Sequence, residues 1–450
     1  MPQINLAEGY WYLASERTDK LRVHNMLVGM NKASPTGKTY RTRPGLTDAQ
    51  VVGDGPIRKM WRQEGTLGGQ ILTVSGDHLF ITSTDMGFVG SEGIQFAGSP
   101  DRAVIVASGQ AWRTDGVTLD LIIMPDDVPG YEGIPAPVQS VRYINGFFLL
   151  SVKESQRFYW IQPFEDDPDP LDFASAERLP DFIVSIALSG DEIWMLGGDG
   201  EEVFAVTTDA DAPFQSIIGR VYNAGCADID SVCEIGTVLA WVSQARNVAV
   251  ARGEPQPISD DCIVEILSPE PWFKAWWFRM SSHAYYIVTT PSITLVYDFD
   301  EQKWYRWSSY GFDYWRCITG CQTGAIVTAG DSQSAQQWTL GFDVTNDAGE
   351  PLLRELSGTV DVLGPPETCK SVTLRTVVGF GNGPLELKWS DDQGRSWSAW
   401  RDIPLGSIGH YGTDAIARSL GQMRRPGRTF VWRYSKDTPY RVDYAAYNEA

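Results

Sequence analysis

DFASAERLPDFIVSIALSGDEIWMLGGDGEEVFAVTTDADAPFQSI, residues 172–217, contains three short apolar runs separated by turn residues. The runs occupy residues 182–188, 192–196 and 203–207, and the glycine-rich turns lie at 189–191 and 197–200. Glycine supplies positive φ at such turns without steric cost. Each run is too short for a helix and is rich in β-branched and aromatic residues. We therefore predict a three-stranded meander, which needs similar neighbours to bury its faces.

Length and charge limit the possible classes of protein. A chain of 450 residues normally forms several cores, unless repeats extend a single core. The formal charge of −20 argues against a surface that grips nucleic acid phosphates throughout, and it leaves open a surface past which DNA slides without binding. No apolar run approaches the ~20 residues of a membrane span, so we predict no membrane-spanning segment. The N-terminus lacks a signal-peptide pattern.

The same hairpin signal returns along the chain and sets the predicted architecture. Turns between strand-like runs are predicted at residues 75–77, 108–109, 145–146, 189–191, 243–247, 290–292 and 329–331. A period of roughly 40 to 50 residues with four strands per unit is typical of a β-propeller. We predict an all-β chain with a propeller of six or seven blades over residues 55–345. An array of β-sandwiches is the alternative.

Three further segments flank or interrupt this array. Residues 1–54 predict an N-terminal arm and lead-in, either solvated or in contact with a partner subunit. Residues 346–367 predict a linker, and residues 368–450 predict a C-terminal β-sandwich-like domain, since alternating apolar runs return there. The segment PEPWFKAWWFRM, residues 269–280, predicts a short helix, because its large apolar residues are spaced to share one helical face.

The sharpest local motif is an Asp-box, Ser390-x-Asp392-x-Gly394-x-x-Trp397. Ser390 and Asp392 can accept hydrogen bonds from turn amides, Gly394 can take positive φ, and Trp397 can fold back under the hairpin. We interpret this motif as structural. A role in saccharide processing is the alternative, and it would need a cluster of arginines and an activated nucleophile, for which no matching set is recognisable.

No catalytic, cofactor-binding or metal-binding residues are predicted. Cys317 and Cys321 lack a second ligand pair at zinc spacing, and the four histidines are scattered. The acidic run at residues 165–170 lacks the spacing of a calcium loop, so a solvated loop is favoured over a calcium site. We therefore expect neither a cofactor nor an enzyme.

Several stretches in the expected order resemble the packaged-DNA stabilisation, or tail hub (nozzle), proteins of short-tailed bacteriophages. They include the segment from FASAERLPDF at 173–182 to EEVF at 201–204, FQSIIGRVYNAGCADIDSVCEIGTVLAWVS at 214–243 and YYIVTTPSITLVYDFDEQKWYRWSSYG at 285–311. AGDSQSAQQWTLGFDVTNDAGEPLLREL at 329–356 and the C-terminal run from KWSDDQGRSWS to RTFVWRYS extend the likeness. The resemblance covers about residues 40–450.

This resemblance implies a structural virion protein, assembled in the host cytoplasm as a homo-hexameric tail nozzle. Its implied partners are the adaptor ring, a needle, fibre or tailspike protein, and viral DNA that passes through the lumen without specific binding. Arg418, Arg424, Arg425 and Arg428 are predicted to contact a neighbouring subunit or the adaptor, with a solvated basic loop as the alternative. The alternative function is a carbohydrate-binding or sialidase-like, glycan-cleaving propeller that recognises a host surface.

Overall fold

The computed structural model of the chain describes residues 3–13, 18–209, 212–380, 383–411 and 414–448. Its strands form two bodies, a ring of four-stranded sheets and a β-sandwich. The N-terminal residues contribute strands to both. These strands are β1 Asn5–Leu6, β2 Trp11–Leu13, β3 Thr18–Leu21, β4 Val23–His24, β5 Met26–Met30, β6 Lys38–Thr42 and β7 Gly45–Val51.

The first five blades are consecutive four-stranded antiparallel meanders. Blade 1 contains β8 Ile57–Trp61, β9 Leu72–Ser75, β10 His78–Ile81 and β11 Thr84–Phe88; a 3-10 helix, Thr66–Gly69, follows β8. Blade 2 contains β12 Gln95–Gly98, β13 Ala103–Ala107, β14 Gln110–Thr114 and β15 Leu119–Leu121. Blade 3 contains β16 Val138–Ile144, β17 Phe147–Val152, β18 Arg157–Ile161 and β19 Phe173–Ser175. Blade 4 contains β20 Ile183–Ser189, β21 Glu192–Gly197, β22 Glu201–Val206 and β23 Phe214–Tyr222.

Blade 5 follows a second 3-10 helix, Ile229–Ser231, and precedes the single α-helix of the described residues, α1 Asp261–Leu267. Its strands are β24 Cys233–Ile235, β25 Val238–Val242, β26 Val248–Ala251 and β27 Pro255–Pro257. Blade 6 contains β28 Lys274–Met280, β29 His283–Thr289, β30 Thr294–Asp298 and β31 Lys303–Trp307. Blade 7 contains β32 Cys317–Thr323, β33 Ile326–Asp331 and β34 Gln336–Gly341.

The ring of blades is closed by a strand from the opposite end of the propeller sequence. Strand β7 pairs antiparallel with β34, from Gly45 opposite Gly341 to Val51 opposite Gln336, and so completes blade 7. At the inner strands, the amide of Met60 in blade 1 donates to Thr319 Oγ1 in blade 7 over 2.9 Å. The seven-bladed ring confirms the predicted all-β, propeller class.

Residues after the propeller form the sandwich together with N-terminal strands. Its strands are β35 Arg354–Asp361, β36 Glu367–Thr368, β37 Ser371–Thr376, β38 Pro384–Ser390, β39 Arg401–Pro404, β40 Ala415–Arg418, β41 Gln422–Met423, β42 Gly427–Tyr434 and β43 Arg441–Tyr447. One sheet has the order β40-β37-β43-β6-β5. The other is continuous with blade 6, because β31 pairs with β4, β4 with β35, and β35 with β42.

The prediction of an extended N-terminal arm is wrong for the described residues. Strands β5 and β6 form a hairpin, and β6 pairs with β43 at the far end of the chain, so this segment is part of the sandwich. Its apolar side chains, including Met26, Leu27 and Val28, are buried in the same core as the sandwich residues. Residues 1–2 and 14–17 of the predicted arm lie outside the described residues.

The predicted helix at 269–280 is also wrong, since residues 274–280 form the innermost strand of blade 6. Trp276 and Phe278 pack into one core cluster, whereas Ala275 and Trp277 pack into another on the opposite face of the sheet. Successive side chains of this segment point to opposite faces and both faces are buried. This pattern is characteristic of a strand in a sheet that packs between two neighbouring sheets. The predicted turn at 329–331 likewise lies within β33.

Candidate functional surfaces

A chain of polar contacts crosses the axis of the propeller. Lys59 Nζ of blade 1 lies 3.2 Å from Asp230 Oδ1, which precedes blade 5, and Gln95 Nε2 of blade 2 lies 3.4 Å from the same oxygen. Arg142 of blade 3 donates to Gln95 Oε1 over 3.2 Å and to Glu234 Oε1 of blade 5 over 2.5 Å. We call these five residues the axial network.

The axial network joins blades that are not neighbours in the ring, so its side chains meet near the axis. Blades 1 and 5 are separated by blades 6 and 7, yet Lys59 and Asp230 are 3.2 Å apart. A nucleic acid duplex cannot pass between atoms at this distance. The axis of this propeller is therefore closed to a duplex.

Burial shifts the pKa values of two charged groups beside the axial network. Desolvation lowers the pKa of Lys274, on the inner strand of blade 6, against the opposing effect of nearby Asp230. Desolvation also raises the pKa of Asp228, whose carboxylate accepts the amide of Phe273 over 2.9 Å. Both shifts have the sign expected when a charged group is buried, because burial disfavours the charged form.

Sequence reasoning missed the axial network, although a signal was present. Its members are charged or amide residues within or beside short apolar inner strands, such as IRKMW at 57–61, VQSVRYI at 138–144 and CEI at 233–235. A charged residue in a strand buried on both sides needs a partner, because an unpaired buried charge is costly. The partners lie up to 171 residues away along the chain, so the sequence does not identify them.

A cleft of about 660 Å³ lies between the propeller and the sandwich. Lys303 and Trp304 of blade 6 line one side, Gln393 and Arg428 of the sandwich line the other, and Glu8 lies between them. Glu8 accepts hydrogen bonds from Lys303 over 3.0 Å and from Lys38, and the bond from Lys38 is the main cause of its lowered pKa. Glu8, Lys38 and Lys303 are thus paired with one another within the chain.

The Asp-box residues form a compact hydrogen-bonded turn after β38. Ser390 Oγ donates to Asp392 Oδ1 over 2.7 Å and accepts the amide of Gly394 over 2.8 Å. Asp392 accepts the amide of Ser396 over 2.8 Å, and its bonds to Ser396 and Ser390 lower its pKa to about 2. Gly394 has φ 90°. The half-buried ring of Trp397 lies under Lys388, whose Nζ is 4.5 Å from the ring centroid.

The four predicted contact arginines divide into two groups. Arg418, Arg424 and Arg425 are exposed, so their proposed role in contacts remains a prediction. Arg428 is 3% exposed, pairs with Asp391 over 2.6 Å and donates to the carbonyl oxygens of Leu420 and Gln422. Its assignment to an intersubunit contact is wrong, because its guanidinium is buried and bonded within the sandwich.

The acidic run at 165–170 docks onto blade 2 rather than projecting freely. Arg102 donates to the carbonyl oxygen of Glu165 over 2.6 Å, and Arg113 donates to that of Asp166 over 3.0 Å. Asp167 Oδ1 accepts the amide of Ile123 over 2.8 Å. These contacts account for the ordered path of the loop across the outer edge of the neighbouring blade.

Within the described part of the chain, His283, Asp298 and Asp300 are the one set of potential metal ligands whose atoms lie within 4.8 Å of one another. His283 Nδ1 is 2.8 Å from Asp298 Oδ2, Asp298 Oδ1 accepts the amide of Asp300, and Asp300 accepts the amide of Ala284. These bonds explain the cluster as part of a turn.

Cys317 and Cys321, which lack a second ligand pair at zinc spacing, are both buried. Cys317 belongs to the large core cluster, and Cys321 packs in a smaller one with Ile57 and Phe80. Burial raises the pKa of Cys321 to about 12 and raises that of Cys317 as well. Both thiols therefore behave as small core side chains.

Comparisons with known proteins give one extensive sequence match. The family described as Phage_stabilise, bacteriophage P22 Gp10, beta-propeller, matches residues 3–345. The match ends before most of the sandwich sequence. No curated protein matches the chain. Among the described residues, no helix has the length and apolar character required to cross a membrane.

Solved structures resemble the chain only weakly. The extracellular domain of a putative one component system from B. thetaiotaomicron has 8% identity and a TM-score of 0.46, with 90% of this chain and 60% of that chain covered. The Cps50 (Swd1) β-propeller domain of Myceliophteria thermophila has 10% identity and a TM-score of 0.44, covering 66% and 99%. The computationally designed Ika8 protein has 11% identity and a TM-score of 0.41, covering 76% and 100%.

Proposed function

The chain belongs to the family of phage stabilisation proteins described by bacteriophage P22 Gp10, and we propose on this basis that it forms a hexameric tail nozzle. The family assigns it a structural role in stabilising packaged DNA within a bacteriophage. The nozzle would extend the DNA exit channel below the portal and adaptor ring, in the tail of the virion. Assembly would take place in the host cytoplasm.

The observation that carries the proposal is the family match over residues 3–345, and the axial network adds a geometric reason. Because contacts of 3.2 Å bridge the propeller axis, a channel wide enough for DNA requires several chains around a common lumen. Heterologous contacts join two different surfaces of identical subunits. They form a closed ring when repeated rotation from one subunit to the next returns to the first subunit. A rigid propeller suits such a ring.

The acidic composition suits a lumen through which DNA moves. With a formal charge of −20, acidic groups facing the lumen would repel phosphates, so DNA would slide without binding specifically. Loops facing the lumen would gate the channel, because loops can move while strands hold the ring. The distal end of the nozzle would carry a needle, fibre or tailspike protein. The proposal includes no catalytic step, and no comparison favours the glycan-recognition alternative.

Cryo-electron microscopy of the purified protein and of virion tails, with light-scattering mass on the same sample, tests this function. We expect a closed ring of six subunits below the adaptor. A monomer that is missing from the tail would contradict the nozzle. The gating step has its own test, since a channel equally wide before and after DNA release would contradict it.

A further inference from the structure

Charge is distributed very unevenly between the two ends of the chain. Residues 368–450 contain 12 Lys and Arg against 8 Asp and Glu, a formal charge of +4. Residues 1–367 contain 25 Lys and Arg against 49 Asp and Glu, a formal charge of −24. The sandwich is thus the basic part of an otherwise strongly acidic protein.

Five exposed basic residues gather at one edge of the sandwich, and we call them the basic edge. They are Lys370, Arg401, Arg418, Arg424 and Arg425. Among the described residues, none of the five has a carboxylate oxygen within 4.0 Å, whereas other arginines of the sandwich, such as Arg433 and Arg441, are paired. Unpaired basic groups in so acidic a chain indicate an acidic partner from outside the sandwich.

Hydrogen bonds bring together the segments that carry Lys370, Arg401 and Arg418. Arg401 Nη1 donates to the carbonyl oxygen of Arg418 over 2.7 Å, and the amide of Ser419 donates to that of Lys370 over 2.8 Å. Arg425 donates to the carbonyl oxygen of Leu363, whose side chain is 80% exposed. The surface therefore combines positive charge with an exposed apolar residue.

A surface of the opposite kind lies on the outer edge of blades 2 and 3, and we call it the acidic rim. Its exposed apolar residues are Ile123, at 54% exposure, Phe164 at 93% and Leu171 at 83%. Its exposed acids Asp120 and Glu165 form no ion pair with any described residue. The bond from the Ile123 amide to Asp167, in the loop that also contains Phe164 and Leu171, joins the two blades into one surface.

We infer that the basic edge of one copy docks on the acidic rim of the next copy around the ring. This inference rests on the proposed ring and names the surfaces that build it. The two surfaces carry opposite charges and both expose apolar groups. The apolar groups can pack together while the opposite charges pair and fix the orientation of the contact. The surfaces lie on different domains of one chain, so their contact is heterologous and can repeat around a ring.

Charge reversal on each surface tests the inference. One variant carries Arg418→Glu, Arg424→Glu and Arg425→Glu, a second carries Asp120→Lys and Glu165→Lys, and a third combines both sets. We expect each single-surface variant to raise the dissociation constant of the ring at least about tenfold. The combined variant should recover much of the lost assembly, because both charges are exchanged. Sedimentation velocity over a range of protein concentrations measures the ring fraction.

A matched control changes the same amount of charge elsewhere. Lys32→Glu, Lys153→Glu and Arg279→Glu reverse three exposed basic residues away from the basic edge and should leave the ring intact. Circular dichroism and thermal unfolding verify that every variant folds. Rings that survive both reversals would overturn the inference while leaving the nozzle in place. A wild-type chain that stays monomeric would overturn both. If the variant with Arg418→Glu, Arg424→Glu and Arg425→Glu keeps its rings but loses binding to added DNA, the basic edge would be a nucleic acid-binding surface instead.

Discussion

Arg43 and Asp347 form a bidentate ion pair that is almost completely buried. Arg43 Nη2 lies 2.5 Å from Asp347 Oδ2 and Nη1 lies 3.0 Å from Oδ1, with side-chain exposures of 0% and 5%. The other three N–H groups donate to Asn25 Oδ1, the carbonyl oxygen of Pro44 and that of Ser308. All five donors of the guanidinium are therefore used. The pair joins the N-terminal strands, blade 6 and the segment before the sandwich.

Replacing Arg43 with methionine should strongly destabilise the protein. The change leaves the Asp347 carboxylate buried without its cation, which typically costs about 3 to 5 kcal/mol. The matched control is Arg375→Met, which removes one partner of the exposed Arg375–Asp414 pair and should cost no more than about 1 kcal/mol. Denaturant unfolding measures both. If both variants lose the same free energy of unfolding, the buried pair would contribute no more to stability than the exposed one.

Glu201 should make the stability of the propeller depend on pH. Burial raises the pKa of Glu201 to about 7, and its Oε2 accepts the amide of Ala224 over 3.2 Å. A raised carboxyl pKa means that its contribution is fully present below the unfolded value near 4.5 and is lost as pH rises through about 7.

The variant Glu201→Gln keeps an acceptor oxygen but cannot ionise. We expect its free energy of unfolding, relative to the wild type, to increase by roughly 3 kcal/mol between pH 4.5 and pH 8.5. Denaturant unfolding at a series of pH values measures the difference. A difference that stays constant across this range would show that the carboxyl ionises as easily in the folded protein as in the unfolded chain.

The sequence predicted the propeller because hairpin turns are local, but it left the number of blades open. The recognised turns belong to different positions within the blades: residues 145–146 join the first and second strands of blade 3, whereas 75–77 join the second and third strands of blade 1. Their spacing is therefore irregular. The inner strands, which begin at 57, 95, 138, 183, 233, 274 and 317, repeat more evenly, but only the structure identifies them.

Long-range pairing explains the main errors. Arg41 of β6 lies opposite Arg441 of β43, and no local pattern at residues 38–42 reveals a strand partner 400 residues away. The same limit applies to Arg428, which looks like its exposed neighbours Arg424 and Arg425 in sequence. Its burial depends on Asp391, in the turn that follows a different strand.

The axial network predicts energetic coupling between blades 3 and 5. Arg142→Met removes the cation that faces Glu234, and Glu234→Gln keeps an acceptor for the amide of Leu188. Both side chains are partly exposed, so we expect a coupling energy of about 1 to 2 kcal/mol in a double-mutant cycle. Unfolding of the wild type, both single variants and the double variant measures it. Strictly additive losses would show that the contact contributes no coupling across the axis.

Gly330 predicts how closely blades 7 and 1 pack. A Cβ atom on Gly330 would lie 2.3 Å from Ile57 Cγ2 and 3.1 Å from the sulfur of Met60, so Gly330→Ala forces apart the sheets where the ring closes. We expect a loss of about 1 to 3 kcal/mol, as is usual for overpacking. Gly198→Ala is the control, because no heavy atom lies within 4 Å of its added Cβ, and it should change stability by no more than about 0.5 kcal/mol. Thermal unfolding compares the two variants. If both behave like the wild type, the contact between the first and last blades is looser than these distances require, and pairing of β7 with β34 would be the main interaction that closes the ring.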